Sequence, residues 1–363
     1  MKRKTKIISL AALLFFVAVG GFLLWTYREL HARIDHDKAD KYIEIPRGLS
    51  PSQIISKLAS EGIIRREWPL LAYIKWTGAG GRLKAGEYRF PSPISPLEVL
   101  KKLEEGEQRL GRFTVIEGWS RWEIAAAMTR LPELGINDSE RAMALMNDTS
   151  GINDIDPEAS NLEGYLYPDT YNFPPDVTPN SMIAMMVKRF RQQWKPEWTE
   201  KARALNMTPR QIVTIASLIE TESKLKDERP VVASVIYNRL KKNMALGIDS
   251  TVIYASKLAG KWRNDGKVYK SDIERQSPYN TRLNTGLPPG PIASPSLSSL
   301  EAALNPANTD FLYYVREPSR DDGAHNFYNN AADFERGVQA LRKWERERDA
   351  REATNGSSNE TSP

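Results

Sequence analysis

Residues 7–25 form an uncharged, almost wholly apolar run, and no other feature restricts the architecture of this chain as strongly. A helix needs about 20 such residues to cross about 30 Å of hydrocarbon, so this run is long enough to span a bilayer. Lys2, Arg3, Lys4 and Lys6 precede it, while Arg28, Glu29, Arg33, Asp35, Asp37 and Lys38 follow as a mixed set. The positive-inside rule then places the amino-terminal tip in the cytoplasm and the rest outside. The rival is a cleaved signal peptide, whose apolar core takes about 7–15 residues and ends at an Ala-x-Ala-like site. This run is longer and carries no convincing site, so an uncleaved anchor is expected, with Trp25 and Tyr27 at the interface.

The chain has 363 residues, enough for two or more folded units. Its 51 basic and 46 acidic residues leave a net charge of +5. Four of those charges sit on the short tip before the apolar run, so the basic pI does not describe a folded basic face of the kind that displaces counterions from phosphate. A nucleic-acid partner is not expected. Cysteine is absent, which removes disulfides, thiolate catalysis and cysteine-containing zinc sites. Only His31, His36 and His325 offer imidazoles, and the first two lie just beyond the anchor, so neither a metal nor a cofactor is expected.

Past a polar stretch, residues 42–46 alternate like a short strand and run into Gly48, Ser50, Ile54 and Leu58, the last pair at helical spacing. The pattern returns with every offset kept: a strand over 113–116, then Gly118, Ser120, Ile124 and Met128. Between the two copies, residues 86–90 and then Ser95, Val99 and Leu103 predict another strand and helix. A nucleotide-binding reading of the glycines fails. Gly81 and Gly86 have phosphate-loop spacing, but Glu87 stands where the lysine belongs.

The clearest helix start lies at Thr208, where an N-cap threonine precedes Pro209 and a capping-box partner, Gln211. Ile212, Ile215, Ala216 and Ile219 form an apolar stripe, with Arg210, Thr214, Ser217 and Thr221 opposite, which predicts a helix packed by one face. On this wheel Glu220 falls beside Ala216 and Val213, and Glu222 beside Leu218 and Ile215. A carboxyl pressed on apolar surface holds its proton to higher pH and suits a general acid. The plainer alternative is a glutamate that snorkels or pairs with Lys224, Lys226 or Arg229. Helix geometry leaves both this question and the choice between Glu220 and Glu222 open.

The segment Ile215-Ala-Ser-Leu-Ile-Glu220-Thr-Glu-Ser223 resembles the catalytic-helix segment of the MltG/YceG-like endolytic murein transglycosylases. Other segments resemble that family in the same order. Upstream is Glu163-Gly-Tyr-Leu-Tyr-Pro-Asp-Thr-Tyr171; downstream are Val232 to Leu240, Leu246 to Tyr254, Ser277-Pro-Tyr-Asn-Thr281, Thr285 to Pro295, Ala302 to Pro306 and Gly323 to Phe327. Thr221 and Ser250 depart from it, standing where lysine and proline are expected, and the Gly323-Ala-His run lacks a second glycine. The resemblance implies an α+β chain with a single transmembrane helix, a small LysM-like module and a larger mixed α/β catalytic domain. The expected boundaries are a cytoplasmic tip at 1–6, the span at 7–26, a linker at 27–41, the module at 42–110, the catalytic domain at 111–343 and a disordered tail at 344–363.

The resemblance further implies a periplasmic enzyme of the bacterial inner membrane, acting on peptidoglycan glycan strands with peptidoglycan synthases as candidate partners, and Glu220 as its acid/base. Glu163, Tyr165, Asp169, Tyr237, Asn238, Arg239, Asp249, Thr251, Tyr279 and Asn280 are the candidate substrate-orienting residues, each with an ordinary alternative as a core, cap or solvated side chain. Glycosidases that hydrolyse use two carboxylates. A lytic transglycosylase manages with one, because the muramic acid's own 6-hydroxyl closes onto C1 and leaves a 1,6-anhydro end. Two other readings stand beside it. One is a muramidase recruiting Asp249, Asp169 or Glu222 as second carboxylate; the other is a non-enzymatic wall-binding scaffold.

Overall fold

The computed structural model describes residues 2–106, 111–174 and 176–359. The chain divides into two compact units, Met1–Gly111 and Arg112–Pro363. The first begins with a long helix, α1 (Lys2–His31), whose apolar part Leu13–His31 is almost entirely unburied, as a membrane-crossing helix without its membrane would be. Then come β1 (Tyr42–Ile45), α2 (Pro51–Ser60), α3 (Glu67–Thr77), β2 (Gly86–Arg89) and α4 (Pro96–Glu105). β1 and β2 pair antiparallel, Tyr42 opposite Arg89 and Ile45 opposite Gly86. Period-two alternation turns Ile43 and Ile45 inward to a core with Ile55, Leu58, Leu70, Tyr88 and Leu103.

The second unit runs β3 (Gly111–Thr114), α5 (Arg121–Met128), α6 (Ser139–Leu145), β4 (Thr170–Phe173), α7 (Pro179–Gln193), α8 (Pro196–Ala204), α9 (Pro209–Glu222), α10 (Arg229–Lys241), α11 (Asp249–Leu258), the one-turn α12 (Lys270–Ile273), α13 (Leu297–Leu304), β5 (Tyr313–Arg316), β6 (His325–Tyr328) and α14 (Ala331–Asn359). Among the described residues the sheets are all two-stranded: β1 with β2, β3 with β4, β5 with β6. The mixed α/β expectation therefore resolves into a helical core edged by strand pairs.

The repeat read from the sequence is built the same way twice. Gly48 and Gly118 turn the chain at φ +85° and +79°, a region open to glycine. Ser50 and Ser120 then close capping boxes with Gln53 and Glu123, and Ile54, Leu58, Ile124 and Met128 are buried. A box of this kind satisfies two orphan N–H groups of a helix end, each cap contributing about 1 kcal/mol. The second strand starts two residues earlier than expected, at Gly111.

The expected structureless tail takes a different form. α14 continues past Trp344 to Asn359, and residues 360–363 lie outside the described ones. Side-chain pairs support the first turns of α14 past Trp344. Lys343 and Glu347 pair at 4.0 Å across one turn, and the guanidinium groups of Arg316 and Arg348 lie 5.5 and 5.2 Å from the Trp344 ring.

Candidate active site

α9 starts as its sequence predicts. Thr208 Oγ1 accepts from Gln211 N at 3.2 Å, and the Gln211 side chain accepts from Thr208 N at 2.8 Å. It does not pack by one face, however. Every residue from 212 to 219 is buried, including Thr214 and Ser217 from the polar side of the wheel. Their hydroxyls are satisfied within the core: Thr214 donates to Arg210 O at 2.8 Å, and Ser217 donates to Thr214 O at 2.7 Å while accepting from Ile292 N at 3.1 Å. Back-bonding of this kind hides a hydroxyl's polarity, so helices α8, α10, α11 and α13 can surround α9. The last turn of this central helix delivers Glu220.

Glu220 is not pressed against apolar surface, which corrects the sequence expectation. Its side chain is 4% exposed, and a fork of Arg229, itself 4% exposed, holds it. Arg229 Nη2 donates to Oε1 at 2.8 Å and Nη1 to Oε2 at 3.3 Å. Oε2 also accepts from Ser296 N at 2.7 Å and Ser296 Oγ at 2.5 Å. Ser296 is the N-cap of α13 and Arg229 the first residue of α10, so residues from two helix starts converge on one carboxylate. Oε2 thus has three donors and Oε1 one. Arg229 is fixed in turn by the hydroxyls of Ser296 and Ser298, each at 2.5 Å.

The apolar-site argument made for a glutamate here belongs instead to Glu222. Burial pushes its carboxyl above the ordinary range, Asp249 adds to the rise, and the Tyr314 hydroxyl, donating at 2.8 Å, opposes it.

Beside Glu220 lies a cleft of about 150 Å³ lined by Gly118, Ser120, Thr221, Ser250, Tyr254 and Ile292, with Glu123 and Lys257 at one side. Gly118 brings the chain close: a Cβ there would stand 3.9 Å from Glu220 Cγ. Glu123 and Lys257 also line a neighbouring groove of about 530 Å³ with Trp122, Arg130 and Trp262, so this pair borders both. Lys257 pairs with Glu123 and lies 5.8 Å from the Trp122 ring. The two residues that depart from the family pattern meet in the cleft wall, the hydroxyls of Thr221 and Ser250 lying 2.8 Å apart. A larger cavity, about 730 Å³, is lined by Asp154, Val187 and Arg191 and by none of the residues around Glu220. The stiff Leu287-Pro-Pro-Gly-Pro run braces the other end of α9, where Pro289 O accepts from Arg210 at 2.7 and 2.9 Å.

Most of the ten candidate substrate-orienting residues spend their polar atoms on the protein. Tyr165 is buried and donates to Asp156 at 2.7 Å. Tyr237 donates to Ala303 O, Asn238 to the carbonyls of Thr309 and Phe311, and Arg239 to those of Leu312, Ala245 and Leu246. Thr251 and Asn280 are wholly buried, the first bonded to Ile248 O and Thr281, the second to the carbonyls of Ile273 and Arg275. Asp169 pairs with Arg189 at 2.6 Å and Asp249 with Arg282 at 2.6 Å. Tyr279 is half-buried, its ring 4.8 Å from that of the cleft residue Tyr254. Side chains that the sequence did not single out line the site: Ser296, Ser298, Trp122, Lys257, Tyr254 and Trp262. Arg229 had figured only as one of three pairing partners.

Glu163 lies beneath the cleft, 3% exposed, accepting from Arg121 N at 3.2 Å and from the Tyr254 hydroxyl at 3.1 Å. Burial pushes its carboxyl up to about 7 from an ordinary 4.5, against the pull of Arg121. Between those values the unfolded chain releases the proton and the folded chain keeps it. Stability contributed at low pH is therefore lost as pH rises toward 7, by at most about 3 kcal/mol. Denaturant unfolding of Glu163→Gln is expected to lack this fall between pH 4.5 and 8; profiles parallel to those of the parent chain would refute it.

Residues 43–340 match the family model described as the YceG-like family. The chain is 36% identical over 313 residues to the endolytic murein transglycosylase of Bacillus subtilis (strain 168), covering 82% of this chain and 84% of that one. It is 29% identical over 362 residues to the endolytic murein transglycosylase of Streptococcus pneumoniae serotype 2, covering 92% of this chain and 65% of that one. Among solved structures, a yceG-like protein from Listeria monocytogenes superposes with a TM-score of 0.55 at 31% identity, covering 81% of this chain and 97% of that one. By the extent of the family match and the identity of these relatives, the chain belongs to the YceG-like family.

Proposed function

We propose that this chain is an endolytic lytic transglycosylase of peptidoglycan, cutting the bond between N-acetylmuramic acid and N-acetylglucosamine with Glu220 as its one acid/base. The observation that carries this is the unequal occupancy of the carboxylate: Oε2 is filled by three donors, while Oε1 has one and keeps a lone pair for a proton. From Oε1 the proton passes to the bridging oxygen as the C1–O bond breaks and an oxocarbenium-like centre forms. The carboxylate left behind, held by Arg229 and Ser296, takes the proton of the muramic acid 6-hydroxyl as that oxygen bonds to C1. The products are a free 4-hydroxyl on N-acetylglucosamine and a 1,6-anhydro end, with no water consumed.

The carboxylates a hydrolytic mechanism would recruit are engaged elsewhere: Asp249 by Arg282, Asp169 by Arg189, Glu222 by Tyr314. The groove past Lys257 gives the glycan a track, with Trp122 and Trp262 as flat surfaces for pyranose rings. Trp262→Ala is expected to raise KM for glycan strands on the order of tenfold with kcat nearly unchanged, about 1.4 kcal/mol of ring contact being one factor of ten; an equal fall in kcat alone would refute the track.

In this reading α1 crosses the inner membrane with its amino end in the cytoplasm, and both units face the wall. The first unit, whose strand, two helices and returning strand make a small compact module, supports the LysM-like, glycan-gripping role. Nascent strands leaving the membrane-bound synthases are the substrate, and cutting them limits their length. Mass spectrometry of peptidoglycan digested by the detergent-solubilised full chain tests the reading. New 1,6-anhydro ends are expected. New reducing ends would mean hydrolysis, and no new ends would mean a binding module.

A further inference from the structure

Helix α3 in the first unit is apolar on two sides. Leu70 and Ile74 point into the core. On the opposite side Trp68, Ala72 and Trp76, at i, i+4 and i+8, are exposed, Trp76 by 84% and Trp68 by 39%. A helix covering a module from one side has no use for a second apolar stripe, and bare tryptophan is the costliest way to make one. The stripe is also continuous with the apolar surface of α1. The Trp68 ring stacks on Trp25 at 5.2 Å and on Phe22 at 5.4 Å, and Arg66 sits 5.4 Å from the Trp25 ring. Phe22 and Trp25 belong to the segment apolar enough to cross a membrane, so whatever depth they occupy, Trp68 shares. Arg65, Arg66 and Lys75 flank the stripe as exposed cations.

We propose that α3 is a second membrane contact: it lies in the interface between headgroups and acyl chains beside α1, with Trp68, Ala72 and Trp76 turned to lipid and Arg65, Arg66 and Lys75 among anionic headgroups. Tryptophan favours this depth because its ring is apolar and its N–H is wet, and each basic side chain near an anionic surface adds about 1 kcal/mol. The stripe extends about 12 Å along the helix, enough to fix the module's orientation on the bilayer where a single spanning helix would let it rotate. The glycan-gripping module would then meet strands within a helix diameter or two of the membrane surface. This rests on α1 spanning the bilayer.

The chain contains no cysteine, so one introduced cysteine carries one label. The full chain is placed in vesicles of phosphatidylethanolamine and phosphatidylglycerol, with a nitroxide on Ala72→Cys, Trp76→Cys, Val17→Cys in the span or Ser56→Cys on exposed α2. Collision with oxygen, which concentrates in lipid, is compared with collision with a water-soluble nickel complex. Labels at 72 and 76 are expected to favour oxygen over nickel several-fold relative to position 56, approaching position 17. Nickel access at 72 and 76 equal to that at 56, with 17 still in lipid, would overturn the contact while leaving the span intact. Shielding of 72 and 76 from both probes would mean that a protein covers the stripe, and would overturn the lipid assignment. Nickel access at 17 as well would remove the span and the contact with it.

Discussion

Glu220→Gln is expected to lower the rate of 1,6-anhydro end formation by about 10³–10⁴-fold, since the mechanism proposed has this one group serve as both acid and base. The amide is nearly the same size and its oxygen still accepts from Arg229 and Ser296 N, so glycan affinity should stay within a few fold. It cannot take the place of the charge that balances buried Arg229, and its NH2 cannot accept where Oε1 now accepts from Arg229 Nη2. A stability loss of about 1–3 kcal/mol is therefore expected, and thermal unfolding distinguishes it from loss of the fold. Glu222→Gln is the informative partner. Its carboxyl is raised by burial and accepts from Tyr314, so a neutral amide there should cost less than about tenfold in rate. If Glu222→Gln were the dead variant and Glu220→Gln the active one, the assignment would pass to Glu222 and the arginine cage would be structural.

What could be read in the sequence follows from how local each signal is. The start of α9 was legible because a cap is written in four consecutive residues, as at Thr208. The long apolar helix at the amino end was legible because hydrocarbon thickness fixes the length to look for. The environment of α9 was not. A helical wheel assumes one wet side, and Thr214 and Ser217 sit where water would be, yet their hydroxyls fold back onto the helix's own carbonyls. The site was half legible. Glu220 stood out through the ordered motifs, but its partners come from residue 229 and from residue 296, brought together only when α10 and α13 pack on α9. Arg229 was one of three pairing partners the sequence offered, but no spacing rule reaches Ser296. The tyrosines, asparagines and arginine read as sugar contacts came from the ordered motifs, and a motif cannot say whether a side chain reaches a ligand or staples a loop, as Asn238 and Arg239 do.

Arg229→Leu is expected to be the most destabilising single change at the site, by about 3–5 kcal/mol, because it leaves Glu220 buried without its counter-charge. In a unit of this size each kcal/mol moves the midpoint by about 2–4 °C, so the transition should fall on the order of 10 °C. Activity should fall too, since the carboxylate that must form between the two proton transfers would lose the charge that stabilises it. Arg229→Lys separates these effects. A lysine can keep the charge but not the fork that reaches both oxygens, together with Ser298 and Ser296, so it should recover stability more fully than rate. The decisive measurement is the double variant Glu220→Gln/Arg229→Leu. With neither charge left to strand, it should be more stable than the sum of the two single losses by on the order of 1–3 kcal/mol. Strict additivity would mean that the pair seen in the structure is not coupled, and the cage would then have to be explained by Ser296 and the start of α13 alone.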